Sequence, residues 1–385
     1  MKYLLLSTLL FTLISSMIIG CSDKPNILGI GLIPPQDSLK TFSTVAEATS
    51  DTAFLYRVKG ILSTLVGFYS DIPSNTSQES RALLQFEGFT VIPDTARIVS
   101  AFVKIPINYK FKNSTGKLKL NIHSILKSWD QKTFIWDSCV VESFYGNTPD
   151  TTFSKDIDTS DNILKIDVTP FVRRWVREKT NTPNGIIIIP DTLRSDMILG
   201  TRSNADTLEV TYYETDTSTV TKTISTNPIQ QTFIANGAVP QSNTVRYIQA
   251  GISYRELIRF DISSIPHRAS ITQATFEITS DENSSVTNSY SHDSLFVYLV
   301  RNDTLPYTSI ALGTVCSKSL DGSRTIYSTD IKTIVQQWVV REPNYGLILR
   351  PYAELSSFDR FAIYRTSSQD SLLRPKLKIK YTVLP

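Results

Sequence analysis

The sequence has few of the residues on which most enzymes and metal sites depend. Among 385 residues there are only three cysteines and three histidines. His123, His267 and His292 are scattered along the chain, and none lies in a motif that would orient it as a catalytic base. Gly-x-Ser-x-Gly, His-Glu-x-x-His, P-loop and Gly-x-Gly-x-x-Gly motifs are also missing. We therefore expect a protein that is not an enzyme.

The sequence also lacks a large excess of charge of either sign. The chain has 39 Lys and Arg against 36 Asp and Glu, a net charge of +3, and it has no long basic run. A nucleic-acid-binding surface needs clustered basic residues, so no nucleic-acid partner is expected. The 41% of hydrophobic residues is typical of a folded chain, and the length predicts two or three domains.

The first residues have the pattern of an export signal. Lys2 precedes an apolar run that, at ~16 residues, is short for a membrane span and typical of a signal peptide. The run ends in Gly20-Cys21, which resembles the lipobox of bacterial lipoproteins. The resemblance implies that residues 1–20 are a signal peptide and that acyl chains on Cys21 anchor the protein in a membrane. A plain signal peptide and an uncleaved anchor are the alternatives.

Two further cysteines would remain in the exported chain. Cys139 and Cys316 lie in different halves of the sequence. An exported compartment permits a disulfide, but the sequence alone does not bring the two within bonding distance. Two small buried hydrophobic side chains are the alternative to a disulfide.

The rest of the chain is typical of β-strands. Residues 21–40 are turn-rich and are interpreted as a tether. Beyond them, short alternating segments such as Leu118–Ile122 and Leu377–Tyr381 are separated by Asn, Asp, Ser, Thr and Gly. Many short strands with turn residues between them predict antiparallel β-sandwiches.

An internal repeat indicates two such sandwiches. Leu83–Phe86 and the following Val91–Pro93 recur as Leu257–Phe260 and Ser264–Pro266. We place the domains on this repeat. The predicted ranges are a first sandwich at 41–214, a linker at 215–228 and a second sandwich at 229–385.

A second repeated block predicts one short helix in each sandwich. Asp167–Val176 recurs as Asp330–Val339, with apolar residues at helical positions i, i+3, i+4, i+7 and i+8. Each leading aspartate stands where its carboxylate would accept first-turn N–H groups. Trp175 falls on the apolar stripe and is therefore assigned to a core.

The repeated blocks resemble DNRLRE-type domains, a jelly-roll-like β-sandwich family found, usually in tandem, on bacterial surface and secreted proteins. The likeness rests on the Leu-Leu-x-Phe block that ends in Ile-Pro at Pro93, and on Asp-Val-Thr through Trp175. Trp129 and Trp136 resemble the middle tryptophan motif of the family, which the second half lacks. The segment Ile27–Pro35 also resembles lipoproteins of Bacteroidetes-type bacteria.

The resemblance implies a mainly all-β fold of two tandem antiparallel jelly-roll-like sandwiches. Some family members resemble carbohydrate-binding modules, including modules for acidic polysaccharide. The name-giving Arg-Glu pair is replaced here by Arg202-Ser203 and Arg365-Thr366. The likeness therefore bears on the fold more than on the ligand.

Aromatic residues are the candidates for sugar binding. Trp129 and Trp136 would form a stacking platform if they were exposed, because flat rings bury area at low entropic cost. Packing in a core is the alternative for both. Tyr345, beside a predicted turn, is a third candidate.

One acidic loop is a candidate metal site. Asp156, Asp158 and Asp161 place three carboxylates within six residues, and carboxylate oxygens are the ligands that Ca²⁺ prefers. No EF-hand glycine and distal glutamate follow, so a solvated loop is the alternative. No other cofactor is expected.

These observations predict a lipid-anchored protein of the cell envelope, in the outer membrane, with two non-catalytic modules that bind a glycan or a partner protein. A structural or adhesive spacer without a small ligand is the first alternative. An enzyme that degrades polysaccharide with paired carboxylates is the second.

Overall fold

The computed structural model of the chain describes residues 40–288, 293–304, 310–341 and 343–383. The predicted signal peptide at 1–20, Cys21 and nearly all of the tether lie outside these ranges. Strands account for 50% of the structure and helices for 7%, which confirms the prediction of a mainly β fold. In the described ranges, no helix has the length and apolar character needed to cross a membrane.

The elements follow one another as short strands with two helices between them. In chain order they are β1 (Lys40–Leu55), β2 (Thr64–Asp71), β3 (Thr76–Gln85), β4 (Arg97–Pro106), β5 (Tyr109–Lys110), β6 (Gly116–Ser124), β7 (Thr151–Ile157), β8 (Ile163–Asp167), α1 (Thr169–Arg177), β9 (Ile186–Pro190), β10 (Ile198–Thr201), β11 (Thr207–Tyr213), β12 (Thr221–Thr226), β13 (Gln230–Gly237), β14 (Val245–Gln249), β15 (Tyr254–Phe260), β16 (Ser270–Ser280), β17 (Ser294–Val300), β18 (Ile310–Asp321), β19 (Arg324–Asp330), α2 (Lys332–Val340), β20 (Leu347–Pro351), β21 (Arg360–Tyr364) and β22 (Lys376–Val383).

The strand pairings define two packed units. Unit 1 contains a sheet of order β5-β10-β2-β3-β9-β6-β7, with β13 added beside β3, and a second sheet of order β12-β11-β4-β8. Unit 2 contains one sheet of order β1-β22-β16-β19-β18-β17-β20-β15-β14-β21, in which β1 also pairs with β15. Each unit encloses its own hydrophobic core, built from the alternate residues of its strands.

The two predicted helices are present, one in each unit. Trp175 and Trp338 are buried in the cores of units 1 and 2, as the apolar stripes predict. The backbone N–H of Thr169 donates to the carboxylate of Asp167 at 2.8 Å, and that of Lys332 donates to Asp330 at 2.8 Å. The two aspartates therefore accept a first-turn N–H as expected, but they stand one position before the N-cap residues, which are Val168 and Ile331.

The two units exchange one strand segment. Thr52 of β1 lies opposite Leu257 in unit 2, and Thr232 of β13 lies opposite Leu83, the repeat-equivalent leucine, in unit 1. Thr232 follows Thr52 by 180 positions. Residues 40–55 therefore occupy in unit 2 the place that residues 220–235 occupy in unit 1.

Because of this exchange, the two units do not follow the predicted domain boundaries. Strand β1 falls in the range predicted for the first sandwich, 41–214, yet it pairs with β15 and β22 of unit 2. The predicted linker, 215–228, contains β12, and β13 pairs with β3 of unit 1. Both segments are rich in Thr and Ser, and this shared pattern does not reveal which unit completes its sheet with which segment.

One proline accounts for the break in the segment of unit 1 that corresponds to β1. Pro228 corresponds to Ala48, whose backbone N–H donates to the carbonyl of Pro375 at 3.0 Å. Proline has no N–H to donate, so residues 220–235 break into two strands, one in each sheet of unit 1. Strand β1 passes through the same position as one strand, with a β-bulge there, and pairs with β22 before it and β15 after it. The β18–β19 hairpin and the β16–β21 pairing also link the two halves of unit 2 into one sheet.

The units are packed against each other. A shared hydrophobic cluster contains Phe111 and Phe233 of unit 1 and Phe358 of unit 2. Beside it, the amide groups of Gln78 and Gln249 exchange hydrogen bonds of 2.9 and 2.7 Å across the interface. The two units are therefore in direct contact through both apolar packing and buried hydrogen bonds.

Candidate functional site

A polar cleft with a volume of about 1340 Å³ lies between the two units. Amides, hydroxyls and two lysines dominate its lining, and both units contribute. Among the lining residues are Asn108, Lys110, Lys112, Asn113 and Ser114 of unit 1, and Gln241, Ser242, Asn283, Ser284 and Asn288 from the unit 2 side.

An ion pair between the units lies at the cleft. Nη2 of Arg360, in β21, is 3.3 Å from Oδ2 of Asp71, in β2. Arg360 is only 4% exposed, and its Nε and Nη1 have no hydrogen-bond partner within the described part of the chain. Its guanidinium lies 5.4 Å from the ring centroid of Tyr247, which also lines the cleft. Lys112 Nζ, at 4.0 Å from the same Asp71 oxygen, adds a second positive charge.

A buried tyrosine fixes the wall next to Arg360. The hydroxyl of Tyr109 donates to Oδ1 of Asp359 at 3.0 Å and accepts the backbone N–H of Phe358 at 2.8 Å. Burial, together with the charge of Asp359, raises the pKa of Tyr109 well above its usual value, so the hydroxyl stays protonated. At the other side, Nδ2 of Asn288 donates to the carbonyl of Lys110 at 2.7 Å.

The acidic residues of the cleft are all paired with cations. Asp71 pairs with Arg360, Asp161 pairs with Lys155, and Glu282 pairs with Lys318. The hydrogen bond from Lys155 lowers the pKa of Asp161. General acid catalysis needs a carboxyl with a raised pKa, and the shift of Asp161 is in the opposite direction. The arrangement is suited to hydrogen bonding of a ligand rather than to proton transfer.

The two tryptophans predicted to bind sugar lie away from this cleft. Trp129 is only 8% exposed, and its Nε1 donates to the carbonyl of Asn184 at 2.9 Å. Trp136 is half-buried, and the guanidinium of Arg81 covers one face at 4.3 Å from the ring centroid. Trp129 therefore has little free ring surface, and Trp136 has at most one open face.

Tyr345 is half-buried, and it packs against a small cluster that contains Phe54 and Ile348. It lies apart from Trp129, which belongs to a different cluster. The structure thus does not bring the three aromatic candidates together.

The acidic loop binds its own chain. Asp161 pairs with Lys155 and accepts the backbone N–H of Asp158 at 3.0 Å. Asp158 accepts the N–H and hydroxyl of Ser160 at 2.7 and 2.6 Å, while Asp156 is exposed on β7. Across the described ranges, no cluster of three or more His, Cys, Asp or Glu residues has the geometry to hold a metal ion. Calcium binding by this loop stays an untested prediction.

The remaining cysteines are both free and buried. Cys139 packs in a cluster of unit 1, and Cys316 lies in the core of unit 2. Burial raises the pKa of both thiols, that of Cys316 to about 12, which keeps them protonated and unreactive.

Sequence reasoning missed the cleft because its residues come from separate loops and strands of both units. Asp71 and Arg360 are 289 positions apart and belong to no motif. Only the repeat in the sequence indicated two units, and it contains no information on how the units pack.

The sequence matches no family model and no curated protein. Solved structures give only faint likenesses. Infectious bursal virus-derived T=1 particles share 9% identity over 91% of this chain and 76% of that chain, with a TM-score of 0.12. The Faustovirus major capsid protein shares 10% identity over 95% of both chains, with a TM-score of 0.09. Likenesses at this level support no argument about fold or function.

Proposed function

We propose that this protein is a lipid-anchored component of the bacterial cell envelope, held in the outer membrane, whose two jelly-roll-like units bind a glycan without catalysis. The anchor would be acylated Cys21, and the binding site would be the cleft between the units. One observation carries the proposal, namely a cleft of about 1340 Å³ lined mainly by amides and hydroxyls. Such groups both donate and accept hydrogen bonds, as the hydroxyls of a sugar do.

The cleft favours a glycan over the alternatives from the sequence. A partner protein would be favoured by an apolar hot spot with aromatic anchors, whereas the amide and hydroxyl groups here offer many hydrogen bonds. A spacer would need no such concave polar site. A degrading enzyme would need a pair of carboxyls, one of them protonated, and Asp71, Asp161 and Glu282 are each paired with a cation.

Affinity gels with a panel of polysaccharides test the proposal. We expect at least one polysaccharide to retard the protein, and the double variant N113A/N283A to bind it about tenfold more weakly, because two hydrogen bonds are lost. The matched control N204A removes an exposed amide of unit 1 outside the cleft and should bind normally. The absence of retardation on every polysaccharide, or equal loss in N204A, would overturn the cleft as a glycan site.

A further inference from the structure

The strand exchange decides which unit carries the proposed lipid anchor. Strand β1 begins at Lys40, and Thr41 lies opposite Thr382 near the end of β22 in unit 2. In a simple tandem arrangement the first unit in sequence would stand next to the anchor. Here the chain that leads back to Cys21 leaves from unit 2, although unit 1 contains most of the first half of the sequence.

The cleft lies at the opposite end of unit 2 from this exit point. Ser270, the first residue of β16, is paired with the same Thr382, and β16 runs from there to Ser280. Ten residue steps of a strand cover about 33 Å. The loop that follows contributes Asn283 and Ser284 to the cleft.

The exit point carries positive charges that form no ion pair with the described residues. Lys40, Arg268 and Lys380 lie on or beside β1, β16 and β22 at this end, and all three are exposed. Farther along β22, Arg374 and Lys378 are paired with Glu47 and Glu277. Lys40, Arg268 and Lys380, by contrast, form no ion pair with any described residue. We call the end formed by these three cations the basal end.

We infer that the basal end of unit 2 faces an anionic phospholipid surface, so that the cleft and unit 1 point away from the membrane. This inference rests on the proposed lipid anchor. Residues 22–39 can span at most about 65 Å when fully extended, so the basal end stays within reach of the bilayer. Basic side chains are attracted to anionic headgroups within about a Debye length of the surface.

Energy transfer from two labelled positions tests this orientation. The full-length lipidated protein is reconstituted in vesicles of phosphatidylethanolamine and phosphatidylglycerol that contain an acceptor lipid. A dye is attached to T41C at the basal end or to N283C at the cleft, while Cys139 and Cys316 are buried and should react slowly. With a separation of about 33 Å, transfer from position 41 should exceed transfer from position 283 at least twofold. Equal or reversed transfer would overturn the orientation.

Charge reversal tests the attraction itself. In R268E/K380E, the transfer from position 41 should fall toward the value seen at high salt. The control K132E replaces an exposed lysine of unit 1 that forms no ion pair with the described residues, and it should change nothing. Transfer that is insensitive to both salt and R268E/K380E would overturn the headgroup contact. Flotation of the C21A variant with vesicles tests the lipid anchor separately. If C21A still floated with the vesicles, the lipid anchor of the proposed function would be contradicted, and not the orientation of unit 2. Glycan retention in gels is independent of both readouts.

Discussion

Asp51 in the first strand accepts a hydrogen bond from Nε of Arg246 at 2.7 Å, although 195 positions separate the two residues. The backbone N–H of Thr366 donates to the other carboxylate oxygen of Asp51 at 2.8 Å. Burial by itself would raise the pKa of Asp51, but the bonds from Thr366 and Arg246 outweigh burial and lower it. The exchanged strand is thus held in unit 2 by buried polar contacts as well as by its backbone ladder.

Deleting the chain up to Leu55 should therefore unfold unit 2 and spare unit 1. Unit 2 would lose the strand that pairs with both β15 and β22, while unit 1 keeps β12 and β13. Hydrogen exchange should show lost protection in β15 and β22 and retained protection in β3 and β11. The reverse pattern would mean that β1 belongs to unit 1, as the predicted boundaries had it.

Glu256 should make the protein less stable as pH rises. Its carboxyl is fully buried at the position that Ala82 occupies in unit 1, and neither oxygen has a hydrogen-bond partner within the described residues. Burial, with a smaller contribution from the charge of Asp51, raises its pKa from 4.5 to about 8, against the opposing charges of Arg246 and Arg365.

The direction of this change in stability with pH follows from proton binding by Glu256. Between pH 4.5 and about 8 the folded chain holds a proton on Glu256 that the unfolded chain releases. The proton on Glu256 contributes its full stabilisation below the pKa of this group in the unfolded chain. The contribution is lost as pH rises through the pKa in the folded chain, which lowers the free energy of unfolding by about 3–5 kcal/mol. Urea unfolding across this window should show the decline in the wild type and a smaller decline in E256Q, where buried Asp206, whose pKa burial raises to about 7, still contributes. Equal slopes for both proteins would contradict the assignment.

The ion pair between Asp71 and Arg360 should matter more than a surface pair. Replacing Arg360 with alanine leaves Asp71 poorly solvated at the interface, and we expect a loss of about 3 kcal/mol in the free energy of unfolding. The matched control K222A removes an exposed pair with Glu214 and should cost less than about 1 kcal/mol. Similar losses for R360A and K222A in urea unfolding would show that the interface pair is solvated.

Local patterns in the sequence predicted local structure well. The apolar stripe that contains Trp175 gave the helix, and alternation gave strands such as Leu377–Tyr381, because both patterns depend on which residues face a core. The partner of β1 was not predictable, because residues 220–235 share its alternating Thr-rich pattern and the contact of Asp51 with Arg246 forms only in the folded chain. The cleft could not be predicted from the sequence for a related reason, since Asp71 and Arg360 come together only when the units pack.

Proline at the position of Ala48 should break the exchanged strand, and this variant tests the equivalence of residues 40–55 and 220–235. A48P removes the N–H that donates to the carbonyl of Pro375 at 3.0 Å, leaving that carbonyl without its partner. We expect a loss of about 1–3 kcal/mol in the free energy of unfolding of unit 2.

The reciprocal variant P228A should be nearly neutral, because unit 1 already does without a hydrogen bond at this point. Alanine adds a free N–H and makes the unfolded chain more flexible, which together should change the stability by less than about 1 kcal/mol. Unfolding of unit 2 is followed through Trp338, and unfolding of unit 1 through Trp175. If A48P were as mild as P228A, the unbroken passage of β1 through this position would not depend on the Ala48 hydrogen bond, and the proline would not explain why residues 220–235 break into two strands.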